Sequence, residues 1–243
     1  MSYVDENPYA ASYGSASFAA FAGEAERTTF IRRTYLHLTG AVLAFIGIEM
    51  AIFQLAPDGL LEQTTRWMVG GWHWAIVLGA FLVVSTIANR WALTATSLAL
   101  QYTGLTIYVV AEAIIFIPLL LIAQQVGGPN VIMSAGLMTV LVFSGLTAIV
   151  FLTRADFSWL GRYLAFAGLV ALGFIFGSIF IGFDLGMFFS GLMVALAGAY
   201  ILYYTSNVLH HYRLDQYVAA SLALFASVAL LFWYILELFM SRR

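Results

Sequence analysis

The sequence predicts an all-α membrane protein, a bundle of seven transmembrane helices. Of its 243 residues, 63% are hydrophobic and 9% charged, where a soluble domain carries about 25% charged residues. So few charges cannot cover a compact soluble fold of this length. The apolar residues also fall into seven runs of roughly 20 residues, the length that spans a bilayer, separated by short polar breaks. A soluble enzyme, a nucleic-acid binder and a disordered chain are therefore excluded as readings.

Residues 1–33 read as a polar cytoplasmic tail, mobile as far as Gly23, followed by a membrane domain over 34–243. The tail lacks the basic stretch and apolar core of a cleaved signal peptide, so the first span is expected to act as an uncleaved anchor. The spans are expected at 35–55, 73–89, 98–122, 131–152, 162–182, 186–209 and 217–239. Turn-forming or charged residues mark the breaks: Pro57-Asp58-Gly59, Asn89-Arg90, Gln124 to Asn130, Arg154 to Ser158, Gly182 to Gly186 and His210 to Gln216. Loops this short make successive helices antiparallel neighbours.

Arginine sets the expected orientation. With the N-terminus in the cytoplasm, Arg27, Arg32, Arg33, Arg90, Arg154, Arg162 and Arg213 collect on one side, against Arg66, Arg242 and Arg243 on the other. Trp72, Trp74, Trp91, Trp159 and Trp233 fall near span ends, as interfacial anchors do. Gly173 with Gly177, and Ala195 with Ala199, have the spacing of small-residue notches, read as packing within one chain rather than as a dimer face.

The chain has neither cysteine nor lysine. Disulfides, thiolate metal sites, a retinal Schiff base and a Walker phosphate loop are thereby excluded. No cofactor and no metal site are expected: His210 and His211 are adjacent and diverge, and His37 stands alone. Ser144-Gly145 and Ser190-Gly191 lack the glycine two positions earlier that a nucleophile elbow carries, and no base is placed beside them, so intramembrane proteolysis is not expected.

Charges inside a membrane are costly and mark function first. Glu49 and Glu112 each stand 14 residues beyond the start of their span, about 21 Å deep by helical rise. On parallel helices at one depth, they are candidates for a shared proton or cation site; the alternative is that each, protonated, caps a local hydrogen-bond network. Glu112 is the first candidate and Glu49 the second. Pro118 frees a backbone carbonyl near residue 114 on the same helix. Asp184, Glu237 and Arg90 read as solvated or snorkelling at the interfaces.

Several stretches together resemble the transmembrane Bax inhibitor motif family, in its bacterial branch. They are FIRRTYLHLTGAV at 30–42, EAIIFIPLL at 112–120, GLTAIVFLTRADFSWLGRYL at 145–164, YYTSNVLHHY at 203–212 and QYVAASLALFASVALLFWYIL at 216–236. Thr153, Asp156, Phe157, Ser158 and Gly161 carry the family's loop pattern. The resemblance implies a seven-helix bundle of Bax inhibitor type, with six helices around a central one. It further implies a non-enzymatic inner-membrane protein. Some members are pH-sensitive calcium leaks gated by an aspartate pair from the last two helices; others bind and modulate a membrane-anchored ATP-dependent protease. Tyr204 and Ser227 stand at the two aspartate positions. Neither side chain titrates near neutral pH, so the family's acid gate is not expected here. The reading is thus a calcium, other cation or proton leak serving membrane homeostasis, with the bilayer as environment and no nucleic acid as partner. The alternative is a non-transporting modulator of the protease.

Overall fold

A computed structural model describes residues 18–94 and 97–241. Residues 1–17 of the expected tail and the Arg242–Arg243 pair lie outside the described residues. Eight helices follow in order: α1 Glu24–Leu55, α2 Leu60–Val69, α3 His73–Ala92, α4 Leu98–Gly127, α5 Pro129–Thr153, α6 Leu160–Ile181, α7 Gly186–His210 and α8 Tyr217–Ser241. All but α2 are long and apolar enough to cross a bilayer. The chain is a multi-pass membrane protein, and each expected span corresponds to one of these seven helices.

Two departures have local causes. Helix α1 begins at Glu24, well before residue 35, with Glu24 and Glu26 in its first turn, where the helix dipole favours acids. Its 32 residues reach about 48 Å, longer than the ~30 Å hydrocarbon core, so its first turns project beyond the membrane. Helix α2 was not expected. Gly59, at φ 77°, turns the chain into it, and its ten residues are too few to span. It buries Thr65 and Met68, packs on α4, and leaves Trp67 outward, as an interfacial helix does.

The expected mobility up to Gly23 is corrected for the segment from Phe18. Ala19 is fully buried, its N–H donates to the Tyr212 carbonyl at 3.0 Å, and Phe18 forms a single antiparallel bridge with Arg213. This clip fastens the start of the described chain to the α7–α8 loop.

Helix α8 is the central helix. It touches α1, α3, α4, α5 and α7, and with α4 it is buried along most of its length. Phe45, Phe116, Phe225 and Phe232 interlock around it, with Phe116 stacked on Phe232 at 5.8 Å and against Phe45 at 5.1 Å. Such ring pairs add dispersion where burial in lipid supplies no hydrophobic drive.

The expected notch at Gly173 and Gly177 is also corrected. A β-carbon on Gly173 would meet nothing, and one on Gly177 only the Phe183 ring. Close approach occurs instead at Gly104, where a β-carbon would stand 2.5 Å from the Ala88 carbonyl of α3. Gly161 and Gly168 likewise leave room for Tyr203 and Tyr200 of α7.

Candidate functional site

Helix α4 is unbroken through Pro118 and carries Glu112 near its middle. Glu112 is 6% exposed. The Tyr108 hydroxyl, one helical turn away, donates to it. Its other oxygen, Oε2, is buried without a hydrogen-bond partner. A buried carboxylate oxygen left unpaired is expensive and is retained where something else satisfies it.

Glu112 lines a partly open cavity of about 650 Å³ between α3, α4, α6, α7 and α8. Glu237 of α8 stands on the same wall, half-buried, and within electrostatic range of Ser190 and Asp184. Glu237 stands one turn before the end of α8 at Ser241, near the membrane boundary as expected, and it lines the cavity as well. Asp184 behaves as expected: exposed in the loop, its Oδ1 accepts from the Gly186 N–H at 3.0 Å.

Glu49 is buried on α1, and neither carboxylate oxygen has a hydrogen-bond partner. The structure does not place it on the wall of the Glu112 cavity. Its neighbour Ile48 lines a shallower groove of about 310 Å³ between α1 and α4, with His37 and Val109. The carboxylate that shares a space with Glu112 is therefore Glu237.

The two positions of the family's acid pair hold satisfied or aromatic groups. The Ser227 hydroxyl donates to the Ala223 carbonyl of its own helix at 2.8 Å. Tyr204 stacks on Tyr200 at 6.0 Å and meets Tyr203 edge to face at 4.9 Å.

The loop residues form a lock between α5, α6 and α7. Thr153 back-bonds to Ile149, and Arg154 ends α5 in the left-handed region at φ 51°. Asp156 Oδ1 accepts from the Ser158 N–H at 2.8 Å, and its Oδ2 lies 3.2 Å from His211 Nε2. Ser206 of α7 accepts from the Phe157 N–H at 2.8 Å and donates toward Asp156 and Ala155. Gly161 then gives way to the Tyr203 ring. The Ser158 backbone N–H holds the Asp156 carboxyl down to about 2 against the opposing effect of burial, and the Ser158 hydroxyl and His211 add smaller contributions in the same direction. These residues fasten a loop, and their polar groups are occupied in doing so.

On the same end, His37 Nε2 pairs with the Tyr102 hydroxyl at 2.8 Å, and Arg33 lies over the Tyr217 ring. Among the described residues, no three His, Asp or Glu side chains are grouped as metal ligands would be.

The family model described as Bax1-I, "Inhibitor of apoptosis-promoting Bax1", matches residues 27–243. An uncharacterized protein of Pseudomonas aeruginosa, PA2604, is 32% identical over 160 residues, covering 65% of this chain and 68% of that protein. Protein LIFEGUARD 4 of Arabidopsis thaliana is 29% identical over 220 residues, covering 88% and 85%. Bax inhibitor 1 of Schizosaccharomyces pombe is 26% identical over 235 residues, covering 96% and 84%.

Proposed function

The chain belongs to the Bax inhibitor-1-like family of membrane proteins, and on that premise we propose that it is an inner-membrane leak for protons or a cation, worked by Glu112. The observation that carries the reading is Glu112 itself, a mid-span acid with a buried, unpartnered oxygen, among the residues that line a cavity between the helices. An intramembrane carboxylate that can exchange its partner is the ordinary element of a proton or cation path. The groups that face it are Tyr108 on its own helix, Glu237 and Tyr234 from α8, and Tyr200 from α7, with Tyr204 in electrostatic reach of Tyr108. With no aspartate at positions 204 and 227, a pH response falls to the glutamates.

The N-terminus is placed in the cytoplasm on the arginine count, which reporter fusions to the two termini test. Transport is tested in proteoliposomes under imposed pH and calcium gradients. Wild type should dissipate one of them, and Glu112→Gln should slow that by about tenfold or more, the scale of losing one charge-assisted contact. Glu112→Gln should retain wild-type thermal stability if Glu112 serves the leak, and lose it if Glu112 only holds the bundle together. Absence of flux from about pH 5 to 8, with stoichiometric capture of a membrane-anchored ATP-dependent protease, would favour the modulator instead.

A further inference from the structure

The walls of the Glu112 cavity are aromatic. Trp74 of α3 stacks on Trp233 of α8 at 6.1 Å, Phe116 of α4 meets Trp233 edge to face at 4.9 Å, and Phe189 of α7 approaches Tyr234 at 6.1 Å. All five rings line the cavity, and among its described lining residues there is no Arg, Lys or His. Since Phe116 packs level with Phe232 and Trp233, Glu237 lies roughly two turns of α8 beyond Glu112, about 12 Å.

A chamber of about 650 Å³ lies within the ~300–1,000 Å³ range of small-molecule sites. Its lining carries two acids, Glu112 and Glu237, and among the described residues no base, which favours a cation over an anion; Glu112 is 94% buried and its Oε2 has no partner. These walls offer a small hydrated ion two acids and few other oxygens to hold it in place, so such an ion would pass rather than lodge. A cation whose charge is spread over a hydrophobic body is already poorly hydrated, and aromatic faces attract it. We infer that this cavity is a binding site for a hydrophobic organic cation, with its charge toward Glu112 and Glu237 and its body against Trp74, Phe116 and Trp233.

The inference uses the cavity of the proposed leak, yet binding requires no path across the membrane. The full chain in phosphatidylcholine nanodiscs is titrated with tetraphenylphosphonium by equilibrium dialysis, with triphenylphosphine oxide as the neutral counterpart. Saturable binding of the cation is expected, with the neutral compound weaker by about tenfold or more. Glu112→Gln and Glu237→Gln should each weaken the cation by about tenfold, and Trp233→Leu by several-fold. If Glu112→Gln does not fold, Glu237→Gln, at the less buried position, decides alone. Equal affinity for the neutral compound, or undiminished affinity in a folded Glu237→Gln protein, would overturn the site and leave an apolar lipid pocket. Saturable cation binding without proton or calcium flux would uphold this site and sink the leak; flux without cation binding would do the reverse.

Discussion

At the end of the bundle where α5 meets α6, Asp156 accepts from the Ser158 backbone, contacts Ser206 and pairs with His211. In the interior of the bundle, Glu112 has one hydrogen bond from Tyr108 and an oxygen with none, and it faces a cavity that Glu237 shares. Both regions carry acids on an otherwise apolar chain, and they use them differently. Where every acceptor is occupied, the carboxylate is an architectural fastening and resists change. Where one is left unpaired on a residue that lines a cavity, a change of partner breaks no existing bond at that oxygen. Incomplete hydrogen bonding at a cavity, more than the presence of charge, separates site from structure in this bundle; Glu49, unpartnered but not on the wall of that cavity, meets only the first condition.

The closed region should break most readily by crowding. A β-carbon on Gly161 would already stand 2.9 Å from the Tyr203 ring, so Gly161→Leu should force α6 off α7. Thermal unfolding in detergent should report a loss of about 3 kcal/mol, the upper range for overpacking. Asp156→Ala should cost less, about 1–2 kcal/mol for a lost cap and its neighbouring contacts. It should leave tetraphenylphosphonium binding unchanged; a loss of binding there would erase the distinction between the regions.

The same aspartate sharpens the comparison through pH. Its carboxyl is held down to about 2 in the fold, below the ordinary ~3.9 of an unfolded chain. A depressed value means that its stabilisation is complete above the unfolded value and is lost as pH falls through the folded one. The stability difference between Asp156→Asn and wild type should therefore shrink below about pH 4, and any change above that should vanish when His211→Gln is the common background. Any flux that varies between about pH 5 and 8 must then come from another group. The smallest effect is expected at Arg154, whose φ of 51° suits glycine better. Arg154→Gly should raise stability by about 0.5–1 kcal/mol, read as a higher midpoint.

The spans were legible because about 20 apolar residues between turn signals have few other uses. Helix α2 was not, because ten mixed residues after Pro57-Asp58-Gly59 read equally well as loop. The arginines and glutamates of 24–33 resemble a solvated tail in composition, although they continue the helix of α1. The choice of α8 as the centre was hidden for a further reason. In lipid, a helix face that meets acyl chains is as apolar as one that meets protein, so periodicity no longer tells inside from outside. That ambiguity also hid the second role of Glu237: distance from the span end marks it as interfacial, and only the fold puts it on the cavity wall as well. Glu112 was legible because a charge at mid-span has few innocent explanations. Its companion depended on which helices meet, which spacing along one chain does not encode.

The central claim is that Glu112 exchanges its proton and its partner through the cavity while Asp156 does not. Infrared difference spectroscopy of the carboxyl stretch tests it most directly, recorded on the reconstituted full chain across a pH step and on adding tetraphenylphosphonium. A carboxyl band that responds to both should disappear in Glu112→Gln and persist in Asp156→Asn. A band that responds to neither, or one that survives Glu112→Gln unchanged, would contradict it.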